Sequence, residues 1–125
     1  MLFDTDVLIW AFRGNPKAAN AIDSDDDRAL SIVTYLELLQ GARDQREVRQ
    51  IKRFLADLGF RSLPLTESIG HRALVYMEQY ALKVGMTLGD ALITATASEH
   101  QMTLCTANTK HYRQIQDIEV KAFKP

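Results

Sequence analysis

The chain has 125 residues, 46% of them hydrophobic, which is enough to bury the core of one domain without disulfides. Its 15 basic and 16 acidic residues leave a net charge of -1, which excludes the overall basic composition typical of many nucleic-acid-binding proteins. The single cysteine, Cys105, excludes an internal disulfide, and neither a secretory leader pattern nor a run of eighteen apolar residues is present. We therefore expect one cytoplasmic domain over residues 1–125 with no membrane partner.

Strand and helix patterns alternate along the whole chain. Strands are predicted at residues 1–4, 29–33, 60–65, 102–106 and 118–123. A helix is predicted after Asp44, where Glu47 three positions on completes an N-terminal cap signal. Another helix is predicted over residues 69–84, where apolar residues form one stripe. Residues 88–100 are small or apolar on nearly every side, which favours a buried helix. This order predicts a three-layer α/β/α sandwich around a mainly parallel sheet of about five strands.

Acidic residues follow the predicted strands at the edge where such sheets bind ligands. Asp4 ends the first strand, Asp6 lies in the turn or first helical residue beyond it, Glu37 comes just after the second strand, and Asp90 begins the buried helix. Three more polar residues come after the fourth strand at the same edge, namely Thr106, Asn108 and His111.

Each acid taken alone also fits a structural role. Glu37 and Asp90 each stand three residues after a threonine, as in the capping box, while Asp4 and Asp6 suit turns and helix caps. Three or four carboxylates at one sheet edge would repel by roughly a kcal/mol or more per close pair, so they would need protons or a cation. Hard oxygen ligands select Mg²⁺ or Mn²⁺, which also bind phosphates. The sequence thus predicts an acidic metal site that acts on a phosphate.

The segments that carry these residues resemble a known family. LFDTDVLI, TYLELLQGA, GDALITATASEH and TLCTANTKHY, in that order, are similar to PIN-domain ribonucleases, in particular the VapC-type toxins of bacterial type II toxin-antitoxin systems. The resemblance implies a PIN-like fold and a Mg²⁺- or Mn²⁺-dependent endoribonuclease. It implies an acidic core of Asp4, Glu37 and Asp90 that binds the metal, and a pocket completed by Thr106 and Asn108.

Two positions depart from the pattern of the family. Many relatives carry aspartate where this chain has Asn108, so the choice between one and two metal ions stays open. Asp6 occupies a position that is often asparagine. We expect Asp6 and Asn108 to be secondary metal ligands or to support the ligands.

The expected reaction is hydrolysis of an RNA phosphodiester by a metal-activated water, which leaves 5′-phosphate and 3′-hydroxyl ends. The resemblance implies an RNA substrate, with tRNA as one candidate, a cognate antitoxin that blocks the acidic pocket, and a homodimer. It gives neither the cleavage sequence nor the identity of the antitoxin.

Two other functions remain open on the residues. A haloacid-dehalogenase-like phosphatase would use Asp4 as its nucleophile and Asp6 as its acid or base. A non-catalytic partner-binding module would keep the acids as structural caps.

The sequence also leaves open the roles of two basic features. The cations of residues 43–53 fit either RNA phosphates or a solvated helix face balanced by Glu47 and Asp57. His111 fits either a phosphate contact or a surface role.

Overall fold

The computed structural model describes residues 1–125 and contains five strands and seven helices. The strands are β1 (Leu2–Phe3), β2 (Ala29–Ser31), β3 (Arg61–Leu63), β4 (Leu104–Thr106) and β5 (Val120–Ala122). The helices are α1 (Thr5–Phe12), α2 (Pro16–Asp23), α3 (Ile32–Gln40), α4 (Gln45–Asp57), α5 (Glu67–Val84), α6 (Leu88–Glu99) and α7 (Thr109–Tyr112). None of these helices combines the length and apolar character that a membrane crossing requires.

The strands form one sheet in the order β3-β2-β1-β4-β5, and every neighbouring pair is parallel. The predicted parallel α/β/α sandwich is therefore confirmed. Successive strand residues point to opposite faces. Leu2 and Leu104 pack with α5 and α6, whereas Phe3 and Cys105 pack with the layer formed by α1 to α4. Cys105 is buried as expected, and burial raises the pKa of its thiol to about 11, so it is a packing residue and not a reactive thiol.

The order of the strands creates a crevice at the carboxyl ends of β1 and β4. The chain moves from β1 outward to β2 and β3, and later returns to place β4 and β5 on the other side of β1. Such a reversal of direction is where ligands bind in open α/β sheets. Asp4 follows β1 and Thr106 ends β4, so these two side chains meet at this position.

Local cap signals explain where most helices begin, and one of them was assigned wrongly from the sequence. Asp44 caps α4 by accepting a hydrogen bond from the Glu47 amide, and Thr87 with Asp90 forms a complete capping box at α6.

The predicted second strand was too long, because β2 ends at Ser31, whose side chain caps α3. Glu37 consequently lies in the second turn of α3, too far from its start to act as a cap, and the capping-box interpretation of Glu37 is wrong.

Candidate active site

Asp4 is the buried centre of the site. It is the residue that caps α1, its side chain is only 6% exposed, and its amide donates to the Cys105 carbonyl on β4. Its Oδ1 accepts the Thr5 amide at 2.8 Å and its Oδ2 accepts the Thr106 hydroxyl at 2.8 Å. Asp4 was expected in the crevice, and both Asp4 and Asp6 also fitted a cap. The structure makes Asp4 the cap of α1 as well as a residue of the crevice.

Asp6 connects the start of α1 to the end of β4. Its Oδ1 accepts the Val7 amide at 2.7 Å, and its Oδ2 accepts the Ala107 amide at 3.1 Å. The same Oδ2 lies 3.4 Å from the Thr106 hydroxyl, which donates its shorter bond to Asp4. One threonine hydroxyl therefore lies between two carboxylates and fixes both of them beside the crevice.

Asp90 reaches the site from the first turn of α6. Its Oδ2 accepts the Thr87 amide in the capping box, while its Oδ1 accepts the hydroxyl of Tyr112 at 2.9 Å. His111 Nδ1 lies 3.4 Å from Asp90 Oδ2 and 3.0 Å from Nδ2 of Asn108. The capping-box interpretation of Asp90 is confirmed, and it is compatible with a role in the site because the cap fixes the same carboxylate that contacts Tyr112 and His111.

Glu37 occupies the exposed rim of the site. Its Oε1 accepts the hydroxyl of Thr5 at 2.8 Å, and that hydroxyl also lies 3.0 Å from the Thr34 hydroxyl. On its other side the carboxylate lies over Gly89, where an added Cβ would come within 3.3 Å of Oε2. Contacts to the residues next to Asp4 and Asp90 therefore place Glu37 between the start of α1 and the start of α6.

The three aspartates interact electrostatically. Burial, followed by the neighbouring Asp6 carboxylate, raises the pKa of Asp4 to about 7, and Asp90 adds to the effect. Burial also raises the pKa of Asp6, with a further contribution from Asp90. Burial and the charges of Asp4 and Asp90 together raise the pKa of Tyr112. Negative charge at this edge is therefore incompletely compensated by the hydrogen bonds of the protein, and a proton or a cation would stabilise it.

A hydrated divalent cation fits this group of residues. No three carboxylate, imidazole or thiolate groups form a ready cage for a metal ion. Mg²⁺ seldom requires such a cage, because it keeps several waters and takes one or two carboxylates together with substrate phosphates. The donors nearest the crevice are the oxygens of Asp4 and Asp90, with Glu37 at the rim, and hard oxygen donors suit Mg²⁺ or Mn²⁺.

The structure adds residues that the sequence did not single out. Tyr112 is fully buried and bonded to Asp90, Thr5 holds Glu37, and Gly89 leaves room for the Glu37 carboxylate. Among the expected residues, Asn108 donates its backbone amide to Thr106 Oγ1 at 3.0 Å, and its side-chain Nδ2 lies beside His111 Nδ1.

A second surface cleft lies away from this site. It has a volume of about 760 Å³ and is lined mainly by α5 with residues 116–117. Arg72 pairs there with Glu99 at 2.6 Å and with Asp117 at 2.8 Å. Since these charges already compensate one another, this cleft is a weaker candidate for chemistry than the acidic edge of the sheet.

Comparisons with known proteins agree with the geometry. The profile of the PIN domain family matches residues 1–116. Ribonuclease VapC10 of Mycobacterium tuberculosis is 37% identical over 125 residues, covering 95% of this chain and 90% of that protein. A toxin-antitoxin complex from Klebsiella pneumoniae contains a chain with 30% identity and a TM-score of 0.80, with 99% and 98% of the two chains covered. FitAcB from Neisseria gonorrhoeae gives 26% identity and a TM-score of 0.73, with 95% and 94% covered.

Proposed function

The chain belongs to the PIN-domain family, and on that basis we propose that it is a metal-dependent endoribonuclease and the toxin of a toxin-antitoxin pair. One observation carries the proposal at the level of residues. Asp4, Asp6 and Asp90 converge at the reversal point of the sheet, where burial and mutual repulsion raise the pKa of Asp4 to about 7. A site with that much uncompensated negative charge suits an anionic substrate only when a cation lies between them.

Asp4, Glu37 and Asp90 would hold that cation, with Asp6 and Asn108 as supporting groups. Bound there, Mg²⁺ or Mn²⁺ would neutralise charge on the scissile phosphate and acidify the attacking water. Asp4 and Asp6 cannot rotate freely, because Thr106 and backbone amides hold their oxygens. The site is therefore preorganised, which lowers the cost of arranging the carboxylates around the reacting phosphate.

Asn108 and His111 lie beside Thr106 and Asp90, on and next to the short helix α7. The side chain of His111 is 32% exposed, and its Nδ1 contacts Asn108 and Asp90, so its other ring nitrogen is free to face a substrate. We assign these two residues to contact with the phosphate or the adjacent ribose. The nucleophile is water and not the ribose hydroxyl, and the bond from phosphorus to the 3′ oxygen breaks, so the products carry 5′-phosphate and 3′-hydroxyl ends.

The phosphatase alternative lacks its required residues. It needs an adjacent pair of acids after a later strand, whereas β4 is followed by Ala107 and Asn108. It also leaves Glu37 without a role, although Thr5 and Gly89 hold that carboxylate beside the site. The non-catalytic alternative predicts no metal binding, which isothermal titration with Mn²⁺ would reveal.

We extend the proposal to the partners of the chain. The solved relatives include toxin-antitoxin complexes, which supports an antitoxin that covers the acidic edge. Leu36 and Leu88 stand next to Glu37 and Gly89 with exposures of 57% and 69%, so apolar surface flanks the site and suits a protein partner or a second copy of the chain. Co-purification with the antitoxin and light scattering of the free toxin test these two assemblies.

The activity is tested with purified protein on total RNA in Mg²⁺, Mn²⁺ or EDTA. Cleavage should require the metal and fall by at least about a hundredfold in Asp4→Ala and Asp90→Ala, because each removes a ligand of the cation. Asp57→Ala is a matched control, since Asp57 is exposed and forms no ion pair. Undiminished cleavage in both site variants would reject the assignment, and a 2′,3′-cyclic phosphate product would reject attack by water.

A further inference from the structure

Three arginines form a row along the outer face of α4. Arg46, Arg49 and Arg53 are all exposed and follow the three- and four-residue steps that align side chains on a helix. The buried residues of the same helix, Ile51 and Leu55, lie on its opposite face. The row extends for about 10 Å at 1.5 Å per residue, so it can contact more than one anionic group. We call these three residues the arginine row.

No acid of the chain compensates the arginine row. Glu47, which could have done so, forms its ion pair with Arg43 at 2.8 Å, and Asp57 forms no ion pair. The interpretation of this segment as a solvated face balanced by Glu47 and Asp57 is therefore not supported by the contacts. Some arginines are paired, such as Arg61 with Asp27 at 2.8 Å, and others, such as Arg113, are not. The arginine row differs from these in placing three unpaired arginines on one face of one helix, within a chain whose total charges nearly balance.

This arrangement works against the stability of α4. Arg49 has a like charge three residues before it and another four residues after it, and such pairs repel on a helix. Arg46 lies in the first turn, where the helix dipole disfavours cations. Charges that destabilise their own helix and have no partner within the molecule indicate a role in binding another molecule. An anionic partner would remove both penalties.

The helix that carries the row also borders the candidate active site. A groove of about 710 Å³ has Glu37 at its α3 wall and Glu47 and Gln50 at its α4 wall. Two further cations, Arg13 and Arg43, line the same groove. Arg43 is paired with Glu47, so a strand that leaves the site past Glu37 meets the unpaired Arg13 in the groove and then the arginine row on the outer face of α4.

We propose that the arginine row binds phosphates of the RNA substrate outside the scissile nucleotide, an inference that rests on the proposed ribonuclease function. Arginine is suited to this because its planar guanidinium binds phosphate oxygens through two hydrogen bonds. No apolar side chain interrupts the row, whereas protein interfaces usually have an apolar centre. The contacts carry no base information, so they set the affinity and path of the strand and leave the choice of sequence to other residues.

The test compares wild-type protein with the triple variant R46Q/R49Q/R53Q. The probe is a fluorescein-labelled single-stranded RNA of about 20 nucleotides, in EDTA to prevent cleavage, and binding is followed by anisotropy over a range of salt concentrations. Loss of three phosphate contacts should reduce the slope of log affinity against log salt by about 2, at about 0.7 per contact on single strands. The affinity at low salt should fall at least about tenfold.

Two controls separate the site from net charge and from folding. K17Q/K83Q/K124Q removes the same charge from exposed lysines that form no ion pairs, and should change the slope by far less. R46K/R49K/R53K keeps the charge, and should keep most of the slope. An unchanged slope in R46Q/R49Q/R53Q, or an equal change in the lysine control, would overturn the proposal. Weaker antitoxin binding with an unchanged RNA slope would also overturn it and would assign the arginine row to the protein partner.

Cleavage kinetics distinguish failure of this inference from failure of the proposed function. If wild-type protein does not cleave RNA in Mg²⁺ or Mn²⁺, the ribonuclease proposal itself fails. If wild-type protein cleaves, removing the arginine row should raise KM for a long RNA and leave kcat nearly unchanged, since the row does not touch the reacting phosphate. Equal KM values for wild type and R46Q/R49Q/R53Q would reject only the proposed binding of RNA by the arginine row.

Discussion

Replacing Asp4 by asparagine should stabilise the metal-free protein, and more so as the pH rises. Burial and the Asp6 charge raise the pKa of Asp4 from its ordinary value of 3.8 to about 7. The folded state therefore binds the Asp4 proton more tightly than the unfolded state does. The resulting stability is complete below the unfolded pKa and is lost as the pH rises through the folded pKa, so above pH 7 the folded protein contains an unfavourable buried charge.

The size of the effect follows from the separation of the two pKa values. About three pKa units at about 1.36 kcal/mol each amount to about 4 kcal/mol at pH 8, of which about 2 kcal/mol are already present at pH 5. Asparagine fits the same position. Its oxygen can still accept the Thr5 amide, and its Nδ2 can donate to Thr106 Oγ1, whose own proton then turns to Asp6 at 3.4 Å.

Urea unfolding in EDTA at pH 5 and pH 8 measures the difference between Asp4→Asn and wild type. The variant should be more stable at both values, and the difference should grow by about 2 kcal/mol between them. Asp57→Asn, at an exposed carboxylate, should show no such growth. A difference that is constant with pH, or a destabilised variant at pH 8, would refute the account of Asp4 as a buried and repelled carboxylate.

Adding Mn²⁺ at pH 8 extends the same experiment. A cation that binds only the folded state stabilises it by RT ln(1 + [Mn²⁺]/Kd), so the stability of wild type should rise with the logarithm of the Mn²⁺ concentration once this exceeds Kd. Asp4→Asn has lost one of the carboxylates that would hold the ion, and its gain should be smaller at every concentration. The same gain in both proteins would place the cation away from Asp4.

Two further substitutions test the residues that hold the other acids. Gly89→Ala should displace Glu37, because the new Cβ would lie 3.3 Å from Oε2, and cleavage should fall about tenfold, as is common when a supporting contact is lost. At Gly70, near the start of α5, an added Cβ meets nothing within 4 Å, so Gly70→Ala should keep the activity and raise the melting temperature. Tyr112→Phe removes the 2.9 Å hydrogen bond to Asp90. It should lower the free energy of unfolding in urea by about 1–3 kcal/mol and weaken Mn²⁺ binding, measured by titration, about tenfold. No loss of either would contradict the role given to this hydroxyl.

The fold was predictable because its signals are local and consistent. Alternating strand and helix patterns gave the parallel sheet, and the cap signals at Asp44 and Thr87 gave the starts of two helices. The end of β2 was missed because Ile32 and Val33 favour a strand by propensity, while the Ser31 side chain caps a helix at that point. A one-residue capping contact outweighed the propensity of two β-branched residues.

The acids of the site were predictable from strand ends, but their supports were not. Tyr112 lies 22 positions from Asp90 in the chain, and Thr5 lies 32 positions from Glu37. Only the folded chain brings these pairs into contact, and neither spacing has a sequence pattern. No sequence pattern identifies Gly89 either, because its φ is not positive and its role is to leave space for a side chain from another helix.

Asp6 and Asn108 together determine where the negative charge of the site lies. Asparagine at 108 removes a charge next to α7, and aspartate at 6 adds one at the start of α1, beside Asp4. The amides of Val7 and Ala107 donate to that added carboxylate and offset part of the burial that raises its pKa. The negative charge is thereby concentrated on the α1 side of the crevice, and the α7 side presents a neutral amide. Under the proposed function, an approaching phosphate would be repelled less on the α7 side, which would favour entry of the substrate between Asn108 and the acids.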